Sequence, residues 1–180
     1  MAFFDKSFRE IFLSQVVSIF GGLIVGTVLA VYIDKILLIP GMFILLPGFL
    51  EMRGNISGSF ASRLSSGLFL HVINPKKFGT KMIRGNLFAA VLLAIIVSFA
   101  LGIVAFLFNY FLFHAYTPEI ILIPLIAGII ANVVEVPLAL FFTFYFFRKG
   151  HDPNNIMGPF VTSTGDITSV ISLLIAILII

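Results

Sequence analysis

The sequence contains no cysteine and no tryptophan, and only 11% of its residues are Asp, Glu, Lys or Arg. Without cysteine the chain has no disulfide bonds and no thiolate metal sites. The three histidines, His71, His114 and His151, are widely spaced, which argues against a histidine-rich cage for a transition metal. Phosphate-binding glycine loops, nucleophile elbows and His-Glu metalloprotease motifs are also missing. The sequence therefore does not predict an enzyme or an ATP-driven pump.

Apolar residues make up 60% of the 180 positions, and the mean hydropathy is +1.18. Soluble domains are about 45–50% apolar and about 25% charged, so we expect lipid around this chain. Asp5 and Glu10 interrupt the N-terminal region, which lacks the pattern of a signal peptide. We expect one membrane domain over residues 1–180 without a separate soluble domain. The net charge of +3 fits membrane topology better than nucleic-acid binding.

Five stretches are long and apolar enough to cross about 30 Å of hydrocarbon, and they cover approximately residues 11–33, 36–73, 83–113, 120–147 and 157–180. The sequence thus predicts an all-α membrane protein with five transmembrane helices. The second stretch is too long and too polar for a simple helix. Its prolines and glycines predict an irregular second span, interrupted at Pro40, Pro47 and Gly48 and loosened at Gly54 and Gly58.

The basic residues predict the orientation of these helices. With the N-terminus in the cytoplasm, Lys35 is the basic residue of the outer loops, whereas the inner segments hold eight: Lys6, Arg9, Lys76, Lys77, Lys81, Arg84, Arg148 and Lys149. Lys and Arg are enriched in cytoplasmic loops. We therefore predict a cytoplasmic N-terminus, an external C-terminus and a multi-pass protein of the plasma membrane.

The second stretch carries more polar groups than a lipid-facing helix tolerates. Asn55, Ser59 and Arg63 are four residues apart and share one helical face, and Glu51 and Arg53 precede them. Irregular backbone at membrane depth is tolerated where it lines a water-filled cavity, which predicts a pore-lining segment. The alternative is structural, with Glu51 paired to an arginine and the serines bonded to backbone carbonyls.

Glu135 is an acidic residue in the fourth stretch, and Asn132 lies three residues earlier on the same predicted helical face. One interpretation is a second cation ligand or a proton site along a path. The other is a protonated or arginine-paired glutamate that holds helices together.

Asp166 lies in the fifth stretch, which contains no Lys or Arg to neutralise it. A charge at membrane depth costs at least about 2.5–3.5 kcal/mol. Thr162 precedes Asp166 by one helical turn, and Ser163 is close to it. An oxygen-only set of Asp, Asn, Thr and backbone carbonyls suits a hard cation such as Mg²⁺, Mn²⁺ or Ca²⁺. A cation in transit, or a proton, is therefore favoured over a structural aspartate.

Two separated motifs resemble the membrane domain of the MgtE-type magnesium transporters and their eukaryotic solute-carrier relatives. The first begins at Pro47, continues through Arg53-Gly54-Asn55 and closes with Ala61-Ser62-Arg63-Leu64-Ser65. The second is Asp152-Pro153-Asn154, followed by Pro159, Thr162 and Gly165-Asp166. The resemblance covers nearly the whole chain, although the third span and most of the fourth match only in hydropathy.

The resemblance implies a five-helix unit that acts as a parallel homodimer, or as two fused copies, with an ion path along the symmetry axis. The second and fifth helices would line that path. Asp166 would be the central acidic ligand, with Gly54, Asn55 and Thr162 beside it, whereas Glu51 has no counterpart in the family pattern. Bacterial relatives carry large cytoplasmic sensor domains, which we do not expect in this chain.

Three classes of function remain open. The leading hypothesis is a divalent-cation transporter or channel without a resident cofactor, with Mg²⁺ as the favoured ion; exchange or cotransport with Na⁺ or H⁺ would make Glu135 the proton carrier. A membrane-embedded enzyme or assembly factor would use Glu51, Glu135 and His71 on a lipid substrate. A subunit that only packs beside another membrane protein would leave Asp166 dispensable.

Overall fold

The computed structural model describes residues 5–180, a range that contains six α-helices and no strand. The helices are α1 (Lys6–Val31), α2 (Ile33–Leu37), α3 (Met42–Phe69), α4 (Lys81–Phe113), α5 (Glu119–Arg148) and α6 (Pro153–Ile179). The prediction of an all-α chain is confirmed over these residues, and the five long helices match the five predicted stretches. Residues 1–4 of the expected domain lie outside the described residues.

Four of the described helices, α1, α4, α5 and α6, are long and apolar enough to cross a membrane. The chain is a multi-pass membrane protein. The helix α3 has 28 residues, which reach about 42 Å at a rise of about 1.5 Å per residue. Its polar side chains, and not its length, distinguish α3 from the other four.

The irregular backbone predicted for the second stretch lies before α3 and not inside it. The helix α3 is continuous through Pro47, Gly54 and Gly58, and the chain turns at residues 38–41, where Gly41 has a φ of 87°. Pro47 falls in the second turn of the helix, where it removes one intrahelical hydrogen bond. A Cβ on Gly54 or Gly58 would lie 3.9 Å from the nearest α6 side chain. Both glycines therefore face α6 at an ordinary van der Waals distance, and α3 stays helical through them.

Eight of the eleven basic residues, those of the predicted inner segments, lie at one end of the molecule. There, Lys6 donates a hydrogen bond to the carbonyl of Gly150, and the Nε of Arg148 donates to the carbonyl of Pro75 at 2.7 Å. At the opposite end, the side chain of Asn109 donates to a carbonyl of the turn at residues 38–41. The long helices thus run alternately up and down, as the predicted loop assignment requires.

The helix α6 packs against α1, α3 and α5, and α4 packs against α3 and α5. The buried apolar core follows α3 and α5 in the middle of the molecule. The helix α1 packs mainly on α6 and leaves much of its length exposed. This arrangement puts α3 and α6 side by side, with the middle of α3 facing the middle of α6.

Candidate cation site

A cavity of about 280 Å³ lies between α3 and α6, half-way along both helices. The lining residues are Pro47, Leu50, Glu51, Gly54 and Asn55 of α3, and Thr162 and Asp166 of α6. The four residues predicted to bind the ion, Asp166, Asn55, Gly54 and Thr162, therefore line one cavity. Glu51, predicted as a secondary residue, lines it with them.

Oxygen atoms dominate the polar surface of this cavity, in two carboxylates, one amide and one hydroxyl. The Nδ2 of Asn55 donates to Glu51 Oε1 at 3.1 Å, so the amide oxygen of Asn55 is the atom left to face a cation. The hydroxyl of Thr162 donates to the carbonyl of Gly158 at 3.0 Å, which leaves its lone pairs as a ligand. Lys and Arg are absent from the described lining, so the cavity is electronegative.

The acidic residues of the cavity do not form a metal-binding cluster of their own. Within residues 5–180, no three His, Asp or Glu side chains are grouped closely enough to hold a metal. The cavity offers two carboxylates and neutral oxygens, a set that suits an ion which keeps part of its water shell.

The exposed face of α3 continues into a second cavity, of about 560 Å³, between α3 and α4. Glu51 and Asn55 line both cavities, whereas Ser59 and Arg63 line only the second. Asn55, Ser59 and Arg63 are all exposed, which confirms the predicted common face. The secondary residues Ser59 and Arg63 do not border the cavity that contains Asp166.

Glu135 and Asn132 lie behind α3, and neither lines the α3–α6 cavity. The Nη2 of Arg53 contacts Glu135 Oε2 at 2.6 Å, and its Nη1 donates to Asn132 Oδ1 at 3.1 Å. This is the arginine-paired arrangement of the structural interpretation. Arg53 therefore pairs with Glu135 on α5 and not with Glu51 on its own helix.

Ser163 was expected near the ion, but it lies on another face of α6. It is buried against α1, where a Cβ on Gly21 would come within 1.6 Å of its hydroxyl. The reason is helical geometry, because successive residues of an α-helix are turned by about 100°. Ser163 thus faces α1, while Thr162 faces the cavity.

Glu51, Glu135 and His71 do not converge on one site. Glu51 lies about 27 Å along α3 from Phe69, the last residue of that helix, at about 1.5 Å per residue, and His71 follows after the helix has ended. Glu135 is enclosed between α3, α5 and α6. The lipid-processing site suggested as an alternative is therefore not formed by these three residues.

The sequence-based interpretation missed a polar cluster at the basic end of the molecule. Glu10, only 8% exposed, contacts His151 Nδ1 at 2.8 Å and accepts a hydrogen bond from Asn155 at 3.0 Å. The signal in the sequence was a carboxylate in the apolar α1. Asp152 is the N-cap of α6, since its carboxylate accepts from the N–H of Asn154 at 2.8 Å.

A multi-pass helical protein whose acidic and amide groups meet in a cavity half-way along its helices has the architecture of a membrane transport protein for cations. The family described as "MgtE: Divalent cation transporter" matches residues 46–176, which is most of the chain. The chain belongs to this family of divalent cation transporters, and the resemblance seen in the two motifs is confirmed. A comparison with curated proteins gives no match.

Proposed function

We propose that the chain is a transporter or channel for Mg²⁺, in which a partly hydrated ion binds Asp166 at the middle of the membrane. The observation that carries the proposal is the α3–α6 cavity, where Asp166 lies with Glu51, Asn55 and Thr162. Membership in a family of divalent cation transporters supports a divalent ion as the substrate.

The chemistry of the cavity favours Mg²⁺. This ion prefers oxygen ligands, gives up water reluctantly and is commonly held by one or two carboxylates. One water occupies about 30 Å³ in the liquid, so a cavity of about 280 Å³ has room for an ion with several waters. Softer metals favour Cys or His ligands, and neither residue type lines the described cavity.

We place the ion path between two copies of the chain. Glu51, Asn55 and Thr162 are exposed in the single chain, and polar groups at membrane depth are costly when they face lipid. A parallel second copy would cover them. It would also bring two Asp166 carboxylates towards one ion on the symmetry axis, with α3 and α6 of both copies lining the path.

The orientation follows from the basic end of the molecule, which we assign to the cytoplasm. When α3 is counted together with α1, α4, α5 and α6, the chain has five spans. The N-terminus is then inside and the C-terminus outside, in the plasma membrane. An inside-negative potential supplies about 2.3 kcal/mol per charge for each 100 mV, or about 4.6 kcal/mol for a divalent ion. Uptake therefore needs no ATP and no resident cofactor.

The test is Mg²⁺ uptake into liposomes that contain the purified protein. We expect Asp166→Ala and Asp166→Asn each to lower uptake about tenfold or more, because removing the carboxylate takes away most of the charge that attracts the ion. Asp34→Asn is the matched control, because Asp34 is an exposed aspartate of α2, remote from the cavity, and should keep wild-type uptake.

Each preparation is checked for a monodisperse, helical protein before uptake is compared. Normal uptake by both Asp166 variants would remove Asp166 from the ion path while leaving transport intact. No Mg²⁺ uptake by the wild type would contradict the proposed function itself.

A further inference from the structure

A buried ion pair lies directly behind the wall of the cavity. We propose that Glu135 is a fixed counter-ion of Arg53 that positions both walls of the ion path, and that it carries neither protons nor cations during transport. The transport part of this proposal rests on the proposed function, whereas its stability part does not.

Arg53 is a permanent positive charge inside the protein. Its side chain has no exposed surface, and a guanidinium stays protonated at physiological pH. Glu135 and Asn132 are its partners on α5, and its Nε has no hydrogen-bond partner among the described residues. A buried charge is tolerated only when it is paired and hydrogen-bonded. Glu135 is therefore the counter-ion that balances the charge of Arg53.

Both oxygens of the Glu135 carboxylate already accept hydrogen bonds from the protein. Oε2 accepts from Ser57 Oγ at 2.7 Å as well as from Arg53, and Oε1 accepts from Thr168 Oγ1 at 2.6 Å. The side chain is 3% exposed, and a Cβ on Gly165 would lie 3.5 Å from Oε1. A cation or a proton would have to displace Arg53 or these hydroxyls to reach it.

The same contacts fix the two helices that line the cavity. On α3, Arg53 and Ser57 face α5, while Glu51 and Asn55 face the cavity. On α6, Thr168 holds Glu135 two residues after Asp166. The back faces of α3 and α6 are thus tied to one carboxylate.

The pair also removes a net positive charge from the level of the cavity. An uncompensated Arg53 would repel a cation more strongly here than in water, because the interior screens charge poorly. Compensation by Glu135 leaves Asp166 and Glu51 to determine the potential that an ion meets in the cavity.

The experiment compares wild type, Glu135→Gln, Arg53→Met and the double variant, with Glu119→Gln as the control. Glu119 is an exposed glutamate at the first residue of α5, in the same helix as Glu135. Thermal midpoints are measured in detergent by loss of the monodisperse peak. Rate, half-saturating Mg²⁺ concentration and pH profile are measured in liposomes.

We expect each single variant to lower the midpoint, because it leaves one buried charge unpaired. Glu135→Gln should also raise the half-saturating Mg²⁺ concentration about tenfold, the size of a typical coupling between groups in contact. The double variant should recover both quantities towards wild type and keep the wild-type pH profile. Glu119→Gln should change none of them.

A double variant that keeps the wild-type midpoint but does not transport would give Glu135 or Arg53 a direct role in ion movement and overturn the proposal. A Glu135→Gln variant that still transports but has lost its pH dependence would identify Glu135 as a proton carrier. That outcome would also overturn the proposal. Midpoint losses that simply add in the double variant would show that the two residues do not act as a pair. The thermal midpoints decide whether Arg53 and Glu135 act as a pair, even if the wild type moves no Mg²⁺.

Discussion

Single glycines decide how closely neighbouring helices of this chain approach. Gly102 of α4 lies against the backbone of α5, where a Cβ would come 2.5 Å from the carbonyl oxygen of Ile121. Gly85 lies on the same helix, and a Cβ there would meet nothing within 4 Å. The first contact cannot be relieved by rotating a side chain, because the obstructing atom belongs to the backbone.

We therefore predict that Gly102→Ala destabilises the protein by about 1–3 kcal/mol, the usual effect of overpacking. Gly85→Ala should be neutral or stabilising by about 0.5–1 kcal/mol, because alanine is the better helix former. Thermal midpoints of the two variants in the same detergent provide the comparison. Equal midpoints would show that α4 and α5 do not meet at Gly102.

Among the five long helices, α1 is the one that packs against a single long neighbour. It packs mainly on α6, through the close contact of Gly21 with Ser163 and through the polar cluster around Glu10. That cluster joins the first turns of α1 to the start of α6 and the loop before it, since Glu10 contacts both His151 and Asn155. The start of α1 is therefore tied to α6 by a few polar bonds, in addition to the packing along the helix.

We predict that Glu10→Ala loosens α1 and costs about 1–3 kcal/mol, because the contacts of the buried Glu10 carboxylate with His151 and Asn155 are lost. Hydrogen–deuterium exchange should rise along the first turns of α1 and in the loop around His151, while α4 and α5 stay protected. Arg9→Ala is the control, because Arg9 is an exposed neighbour in the same turn. Unchanged exchange in Glu10→Ala would mean that other contacts hold α1.

The sequence predicted the long helices well, because hydropathy reports directly which segments belong in lipid. The sequence predicted the continuity of α3 poorly. Pro47 and Gly48 were expected to interrupt this segment, but α3 is helical through both residues. The partner of Arg53 was also out of reach, because a single sequence does not show which helices are adjacent. Asp166 was identified from its cost in lipid, whereas its meeting with Asn55 and Thr162 was implied by the family resemblance.

At the scale of the whole molecule, the polar face of α3 is the feature that a single chain leaves unexplained. Glu51, Asn55, Ser59 and Arg63 are all exposed along it. A second copy against this face would remove them from lipid and complete the set of ligands around an ion.

The absence of cysteine makes this arrangement directly testable. We predict that Ser59→Cys forms a disulfide-linked dimer under mild oxidation in membranes, because the proposed dimer brings the two copies of this face together near its axis. Val133→Cys is the matched control, since Val133 is 71% exposed on α5 and should stay monomeric. Equal crosslinking of both variants would indicate random collision, and none in Ser59→Cys would argue against a dimer through α3.

The polarity of α3 also has a consequence for how the chain enters the membrane during synthesis. Glu135 follows Arg53 by 82 positions (135 − 53), so the ribosome needs about 4–16 s to make the counter-charge at about 5–20 residues per second. Until then α3 is a poor substrate for release into lipid, because its arginine has no partner. We therefore expect α3 to enter the lipid less readily than the other long helices until α5 has been made and its Glu135 can pair with Arg53.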